Sequence, residues 1–193
     1  FKNDLMPTIS SIRECLICNN IGKQFESKFS LHLKVDTGMS RLGFECNEFV
    51  QQFEKIKSFQ NISIEGIYSH LSSADEQNSL DPKSCTQLQR QKFQELLKQI
   101  KIDRNKNIKI HLANSAGMLI NKDFHFHMVR VGLSMYGYSP LEQIDKHISL
   151  KPALFLKVKV AFIRIIDQGV SVSYGGKFVS SRKTKLAVLS IGY

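Results

Sequence analysis

Residues 31–44 read LHLKVDTGMSRLGF, and the way this stretch is built decides the fold. Leu31, Leu33 and Val35 alternate with His32, Lys34 and Asp36, which is the period of a half-buried strand. The alternation stops at Thr37-Gly38, and Arg41 follows before Gly43. A lysine, an aspartate and an arginine at the end of one strand fit a solvated surface. They fit equally a site that holds an anion. Flanked by glycines, the backbone is free to carry a guanidinium into a cleft, where its planar fork clamps a carboxylate in two-pronged fashion.

Outward from this strand, helical and extended texts take turns. Upstream, Ile12, Cys15 and Leu16 suit one helix face. Downstream, Phe49, Phe53 and Ile56 recur at helical spacing. Ile62–Leu71 (ISIEGIYSHL) is rich in β-branched and aromatic residues and reads as a strand. Asp81-Pro82 punctuates the chain before a helix with Phe93, Leu96, Leu97 and Ile100 on one face. NIKIHLANS reads as a strand again, and HMVRVG as a short one.

Strand then helix, four times over, predicts a parallel sheet with crossover helices. A doubly wound sheet and half of an eight-stranded barrel both satisfy it. Each strand, however, ends in polar or glycine-bearing text: DTGMSR, SHLSSADE, ANSAG, RVGLSMYG. Barrel enzymes build their sites at the C-terminal ends of several strands, which favours the barrel. The expected fold is α/β: the C-terminal half of a TIM-like (β/α)8 barrel followed by the start of a β-rich domain. From Lys151 the text becomes alternating and glycine-turned with no helical period, so the barrel part is assigned to residues 1–145 and the β-rich part to 146–193.

Bulk properties narrow the function. Apolar residues make up 42% of the 193, enough for a sizeable core. No run approaches the ~18 apolar residues that cross a bilayer. The start resembles no signal peptide, and the end, Ile191-Gly192-Tyr193 after an apolar run, reads as cut. The expectation is a fragment with sequence missing at both ends. The net charge of +10 comes from dispersed lysines with no interleaved aromatic stripe, so a solvated surface is expected rather than a nucleic-acid site. Of four cysteines, Cys15 and Cys18 have metal-type spacing, but no second pair follows. Nothing demands an oxidising compartment, and a cytoplasmic protein with reduced thiols is expected.

The strand ends supply the candidate chemistry. His70 and His111 end apolar strands, where a lone histidine is more often a hydrogen-bonded core residue than a catalyst. Asn114-Ser115 suits a helix cap, and the same groups suit an anion. Arg130 precedes Gly132-Leu133, a cation beside a glycine whose amide can approach a phosphate closely. Taken together they form a basic pocket for an anionic small molecule, with a phosphate and a carboxylate as its contents. Asp36 and Asp75 are the strand-end acids, and holding a neighbour is role enough for each.

LKVDTGMSRLGF, IEGIYSHLSSADE, HLANSAG, MVRVGLSMYGYSP, LKPALFLKVKV, VSYGGKF and LAVLSIGY resemble, in order, successive motifs of the bacterial alanine racemases. The resemblance covers the chain from about Leu5 to Tyr193. It implies a pyridoxal-phosphate (PLP) enzyme with an α/β barrel and a β-rich domain, working as a homodimer whose site the other subunit completes. It implies interconversion of L- and D-alanine by a two-base mechanism, the D-alanine serving peptidoglycan. Arg41 resembles the arginine that reaches the cofactor's phenolic oxygen and the substrate carboxylate. Lys34 resembles a lysine, carbamylated in some members, that holds this arginine. His70 is similar to the histidine beside the pyridine ring, and Arg130 to the arginine facing the pyridine nitrogen, with His111 behind it. Ser115, Gly132 and Leu133 resemble the phosphate binders, with Asn114 in support, and Tyr193 the catalytic tyrosine. The Schiff-base lysine of the family falls upstream of Phe1, so the chain by itself is expected to be inactive. The nearest alternatives are a broader amino-acid racemase, a decarboxylase of the same barrel class, or a non-catalytic PLP-binding protein.

Overall fold

A computed structural model describes residues 5–102, 107–142 and 148–192. The chain separates into two compact units, residues 1–152 and 153–193.

The first unit runs β1 (Thr8–Ile9), α1 (Ile12–Gln24), β2 (Phe29–Lys34), α2 (Cys46–Ser58), β3 (Ile62–Tyr68), α3 (Cys85–Gln99), β4 (Lys109–His111) and α4 (Ser115–Ile120). Each longer helix starts at a polar cap: the side chains of Ser11, Glu45 and Ser84 accept hydrogen bonds from first-turn amides. The four strands are parallel and lie in chain order, β1-β2-β3-β4. A doubly wound sheet reverses its strand order at a switch point; this sheet does not. Helices α1 and α2, and α2 and α3, pack on one another, so they share one face of the sheet, as in the wall of a barrel. The parallel sheet is thus the barrel half anticipated from the strand ends.

The alternation of residues 31–35 is realised in full. Leu31, Leu33 and Val35 are buried beneath the helices, against Phe49, Phe53, Ile56, Phe93 and Leu96. His32 and Lys34 point to the opposite face. One register irregularity interrupts the β2–β3 ladder: Leu31 pairs with Ile64 and His32 with Gly66, so Glu65 is bulged.

Three expectations need correction. Leu16 does not share the buried face of α1; Cys15 is buried and Leu16 is exposed, while Ile12 and Cys18 pack partly against the core. HMVRVG is not a strand. It follows a 3-10 turn at Lys122–Phe124 and a left-handed Phe126, and it touches β4 through one bridge, His111 to Met128. Lone hydrogen bonds from His127 N to Ile110 O and from Arg130 N to Ala113 O flank the bridge. Finally, the β-rich text becomes strand only from Val160. The second unit holds β5 (Val160–Ile166) antiparallel to β8 (Thr184–Leu189), and β6 (Ser171–Val172) antiparallel to β7 (Phe178–Val179). Alternating text forms a strand only where a partner strand supplies the ladder.

Candidate active site

The loop after β2 is an excursion closed at its base. Phe44 N donates to Lys34 O, and Asp36 N to Phe44 O, both at 2.9 Å. Gly43 sits at this closure with φ +127°, and a Cβ there would stand 2.7 Å from Asp36 N, so only glycine fits. Asp36 shapes the turn: its Oδ1 accepts from Gly38 N and Met39 N at 2.8 Å each. Burial alone would raise its pKa, but the amides of Gly38, Ser40 and Met39 and the charge of Lys34 hold it below the usual carboxylate range. Asp36 is therefore a loop former. Lys34 is 4% exposed and donates from Nζ to the carbonyl of Leu42. Burial lowers its pKa, Asp36 opposes this, and the charges of Arg41 and Arg130 add to it. Arg41 itself is exposed, and no hydrogen bond to another described residue holds its guanidinium.

A second cluster gathers at the ends of β3 and β4. Arg130 NH1 donates to His111 Nδ1 at 2.6 Å. Its NH2 donates to Ser69 O (2.7 Å), His70 Nδ1 (3.2 Å) and Leu112 O (3.2 Å). The guanidinium lies 4.7 Å over the ring of Tyr68, and His111 stacks on the same ring at 4.6 Å. An arginine only donates. Each histidine nitrogen facing Arg130 must therefore accept, which leaves both rings neutral with the proton on Nε2. Their pKa values agree. Burial first, then Arg130, pushes His111 down to about 3. Burial, Arg130, Arg41 and Lys34 push His70 down to about 4.

A third group lies next to it. Arg130 N is bonded to Ala113 O, and two residues further on stands Ser115. The hydroxyl of Ser115 accepts from Gly132 N at 2.9 Å and from Ser134 N at 3.3 Å. The Ser134 hydroxyl is buried without a partner among the described residues. Nothing stands within 4 Å of where a Cβ on Gly132 would be, and Leu133 beside it is exposed. Asn114 does not enter this group: its side chain bonds Leu71 O and caps Gly117 N.

The structure thus brings His70, His111 and Arg130 together, and Ser115 with Gly132, and leaves Arg41 on its loop. Tyr193 lies outside the described residues. Two participants escaped the reading of the sequence: Tyr68, which floors the arginine, and His32, whose Nδ1 is 3.0 Å from His111 Nε2. Each sits two residues before a singled-out one, His70 and Lys34, on the same face of its strand. That periodicity was the available signal. Among the described residues no group of three or more His, Cys, Asp or Glu could hold a metal ion, and Cys15 and Cys18 are free thiols on α1.

Comparison with known proteins bears on what such a site belongs to. Residues 1–140 match the family described as alanine racemase, N-terminal domain, and residues 153–193 the family described as alanine racemase, C-terminal domain. The alanine racemase of Prochlorococcus marinus is 45% identical, over 98% of this chain and 49% of its own length. That of Halothermothrix orenii is 37% identical, over 100% of this chain and 50% of its own. The solved alanine racemase of Clostridium difficile 630 superposes with a TM-score of 0.74 at 31% identity, covering 100% of this chain and 50% of that one. The Bartonella henselae alanine racemase, solved with covalently bound pyridoxal phosphate, gives 0.72 at 28% identity, over 100% of this chain and 50% of that one. The chain spans about half the length of the relatives it matches, and it belongs to the alanine racemase family.

Proposed function

We propose that the full-length protein carrying this chain interconverts L- and D-alanine with pyridoxal phosphate. The observation that carries the reading is Arg130. NH1 and NH2 both bond protein acceptors and so fix the plane of the guanidinium, and its Nε–H, without a partner among the described residues, is a donor that could meet a ring nitrogen.

The residues present fit the cofactor. Ser115, the amides after Arg130 and the open space at Gly132 suit its phosphate, with the unpartnered Ser134 hydroxyl beside them. Gly132 and Leu133 would hold the phosphate with Ser115, and Arg130 would face the ring, with His111 behind it and His70 alongside. Asn114 supports Ser115 from the helix cap. When bound, pyridoxal phosphate supplies an electron sink for the charge left when an α-proton departs.

The chain's own residues then have distinct tasks. A guanidinium does not surrender its proton. Arg130 can hydrogen-bond a ring nitrogen without protonating it, which weakens the sink and limits side reactions such as transamination. Arg41, exposed and uncommitted, takes the substrate carboxylate, and Lys34 holds the base of its loop through Leu42. Racemisation needs a base on each face of the α-carbon. Tyr193 is assigned one of them. An isolated tyrosine titrates near ~10, so it needs a cationic neighbourhood to act near neutrality. His70, accepting at Nδ1, turns its Nε2–H away from Arg130, where it is free to donate.

The family likeness supports a cytoplasmic homodimer that makes D-alanine for peptidoglycan. No described helix is long and apolar enough to cross a membrane.

The test is conversion of L-alanine to D-alanine, and the reverse, by the full-length protein supplied with pyridoxal phosphate. Conversion both ways, with loss of L-alanine turnover in Tyr193→Phe, is the expected result. A yellow protein that leaves alanine untouched would instead indicate a decarboxylase, a racemase of other amino acids, or a binding protein.

A further inference from the structure

His32 is unexplained by the roles above. It sits on the barrel-facing side of β2, and its Nδ1 is 3.0 Å from His111 Nε2. The direction of that bond follows from Arg130. Because the guanidinium can only donate, His111 Nδ1 accepts, and the single proton of the neutral ring is on Nε2. His111 Nε2–H therefore donates to His32 Nδ1, and the proton of His32 is on its Nε2. A one-way chain results, from Arg130 through His111 to His32.

The sheet is shaped to seat this ring. His32 pairs with Gly66 at the irregularity in the β2–β3 ladder. A Cβ on Gly66 would stand 2.6 Å from both Cε1 and Nδ1 of the imidazole. The ring thus occupies the space that any other side chain at position 66 would need. Around it, the Tyr68 ring lies edge-on at 6.5 Å and His111 at 5.1 Å between centroids. The charged groups that act on it are Glu65, tied to Ser30 and Ser63, and Arg130. Burial first, and Arg130 after it, outweigh Glu65 and keep the ring below the usual imidazole pKa.

We infer that His32 is a positioning residue for the cofactor-facing arginine: by accepting a hydrogen bond from His111 Nε2–H it holds the ring with Nδ1 turned to Arg130. Without this acceptor the buried His111 Nε2–H is left unsatisfied, and the ring is no longer held with Nδ1 turned to Arg130. A ring free to turn loses the bond that orients NH1. At metal sites an outer partner that orients a histidine is worth about 10–100-fold. The link to catalysis rests on the racemase reading above, but the tautomer does not.

Histidine-selective 15N labelling of the full-length protein reads the tautomers directly. His111 and His32 are expected to show the proton on Nε2, with or without pyridoxal phosphate. His32→Asn retains an acceptor at the Nδ1 position, and His32→Leu removes it. In the Leu variant we expect a shifted His111 Nε2 signal as its N–H loses its acceptor, about 10-fold weaker pyridoxal-phosphate binding by absorbance titration, and kcat down about 10-fold with KM little changed. The Asn variant is expected to recover most of each loss. An Nδ1–H tautomer of His111 in the parent protein would overturn the inference. So would a Leu variant that keeps both the His111 Nε2 shift and the cofactor affinity. If the Leu variant does not fold, the parent spectrum and the Asn variant still decide. If the protein does not act on alanine, turnover is silent for every variant, but the His111 Nε2 signal and cofactor affinity still separate them.

Discussion

Arg41 and Arg130 both stand just past the end of a strand-like stretch, and the structure treats them in opposite ways. Arg130 makes four hydrogen bonds to protein acceptors and lies over an aromatic ring. Arg41 projects from a loop whose base is closed by Phe44 and whose tip carries a left-handed Ser40. One cation is built into the barrel wall, and the other is held out on a short tether. The contrast matches two kinds of ligand. A cofactor that stays needs a partner already oriented, because ordering a rotamer-rich side chain costs about 0.5–1.5 kcal/mol on each binding event. A substrate that comes and goes is served by a group free to reach.

Removing the built-in cation should break the comparison most severely. Arg130→Leu leaves Ser69 O, Leu112 O and two histidine nitrogens without their donor. Abandoned partners of a charge-assisted network cost more than the bonds themselves contribute. We expect a stability loss of about 2–4 kcal/mol by urea unfolding of the full-length protein, and no cofactor binding. Arg130→Lys should restore part of the stability but not the cofactor affinity, since one ammonium cannot serve acceptors on several sides. An Arg130→Leu protein as stable as its parent would mean the four bonds are incidental.

Acid should act on the same cluster more gently. His70 and His111 are neutral in the folded protein, held down to about 4 and about 3 mainly by burial and by Arg130. In the unfolded chain they titrate near ~6.5. Between these values the unfolded state binds protons that the folded state does not, so stability falls as pH falls below about 6.5. Each unit of depression is worth about 1.4 kcal/mol at most. On the order of 2–3 kcal/mol should be lost between about pH 6.5 and pH 4.5, read as a fall in the urea midpoint. Arg41→Ala should leave this acid limb nearly unchanged. A flat midpoint across the window would mean that the folded rings take up protons over the same pH range as the unfolded chain, despite Arg130.

The two arginines also mark what the sequence could and could not disclose. The strand before Arg41 was legible because Leu31, Leu33 and Val35 share one buried face and the helices around it keep strict periods. Chain order, not any residue, decided between barrel and doubly wound sheet, and the polar strand ends were the textual trace of it. The segment carrying Arg130 read as a strand because its residues suit one. It fails to become one because it makes a single bridge to β4. The partners of Arg130 were hidden for a different reason. Ser69 and Leu112 contribute backbone carbonyls, which leave no mark in side-chain chemistry. His32 looked like part of the polar half of an alternating strand and Tyr68 like one aromatic residue of the next, and only the sheet register places them beside His111. Asp36, read as an acid with a neighbour to hold, holds the amides of Gly38 and Met39 and so folds the loop.

The smallest change to the fold should come from Arg41, and that is what makes it informative. Its guanidinium is exposed, and its loop is held by Asp36, Gly43 and the Phe44 closure, none of which depends on the side chain. Arg41→Ala should therefore alter stability by no more than about 0.5 kcal/mol. Binding of a carboxylate is another matter. A hydrogen bond to a charged group is worth about 1.5–3 kcal/mol, and about 1.4 kcal/mol is tenfold in affinity. The KM for alanine should rise about 10-fold or more while cofactor affinity changes little. If Arg41→Ala instead lowered cofactor affinity as Arg130→Leu does, the tethered cation would belong to the cofactor's own cradle. The division of labour between the two arginines would then fail. An unchanged KM would move the carboxylate to another cation, and Lys34, buried behind the same loop with its pKa already lowered, is the group that would have to be tested next.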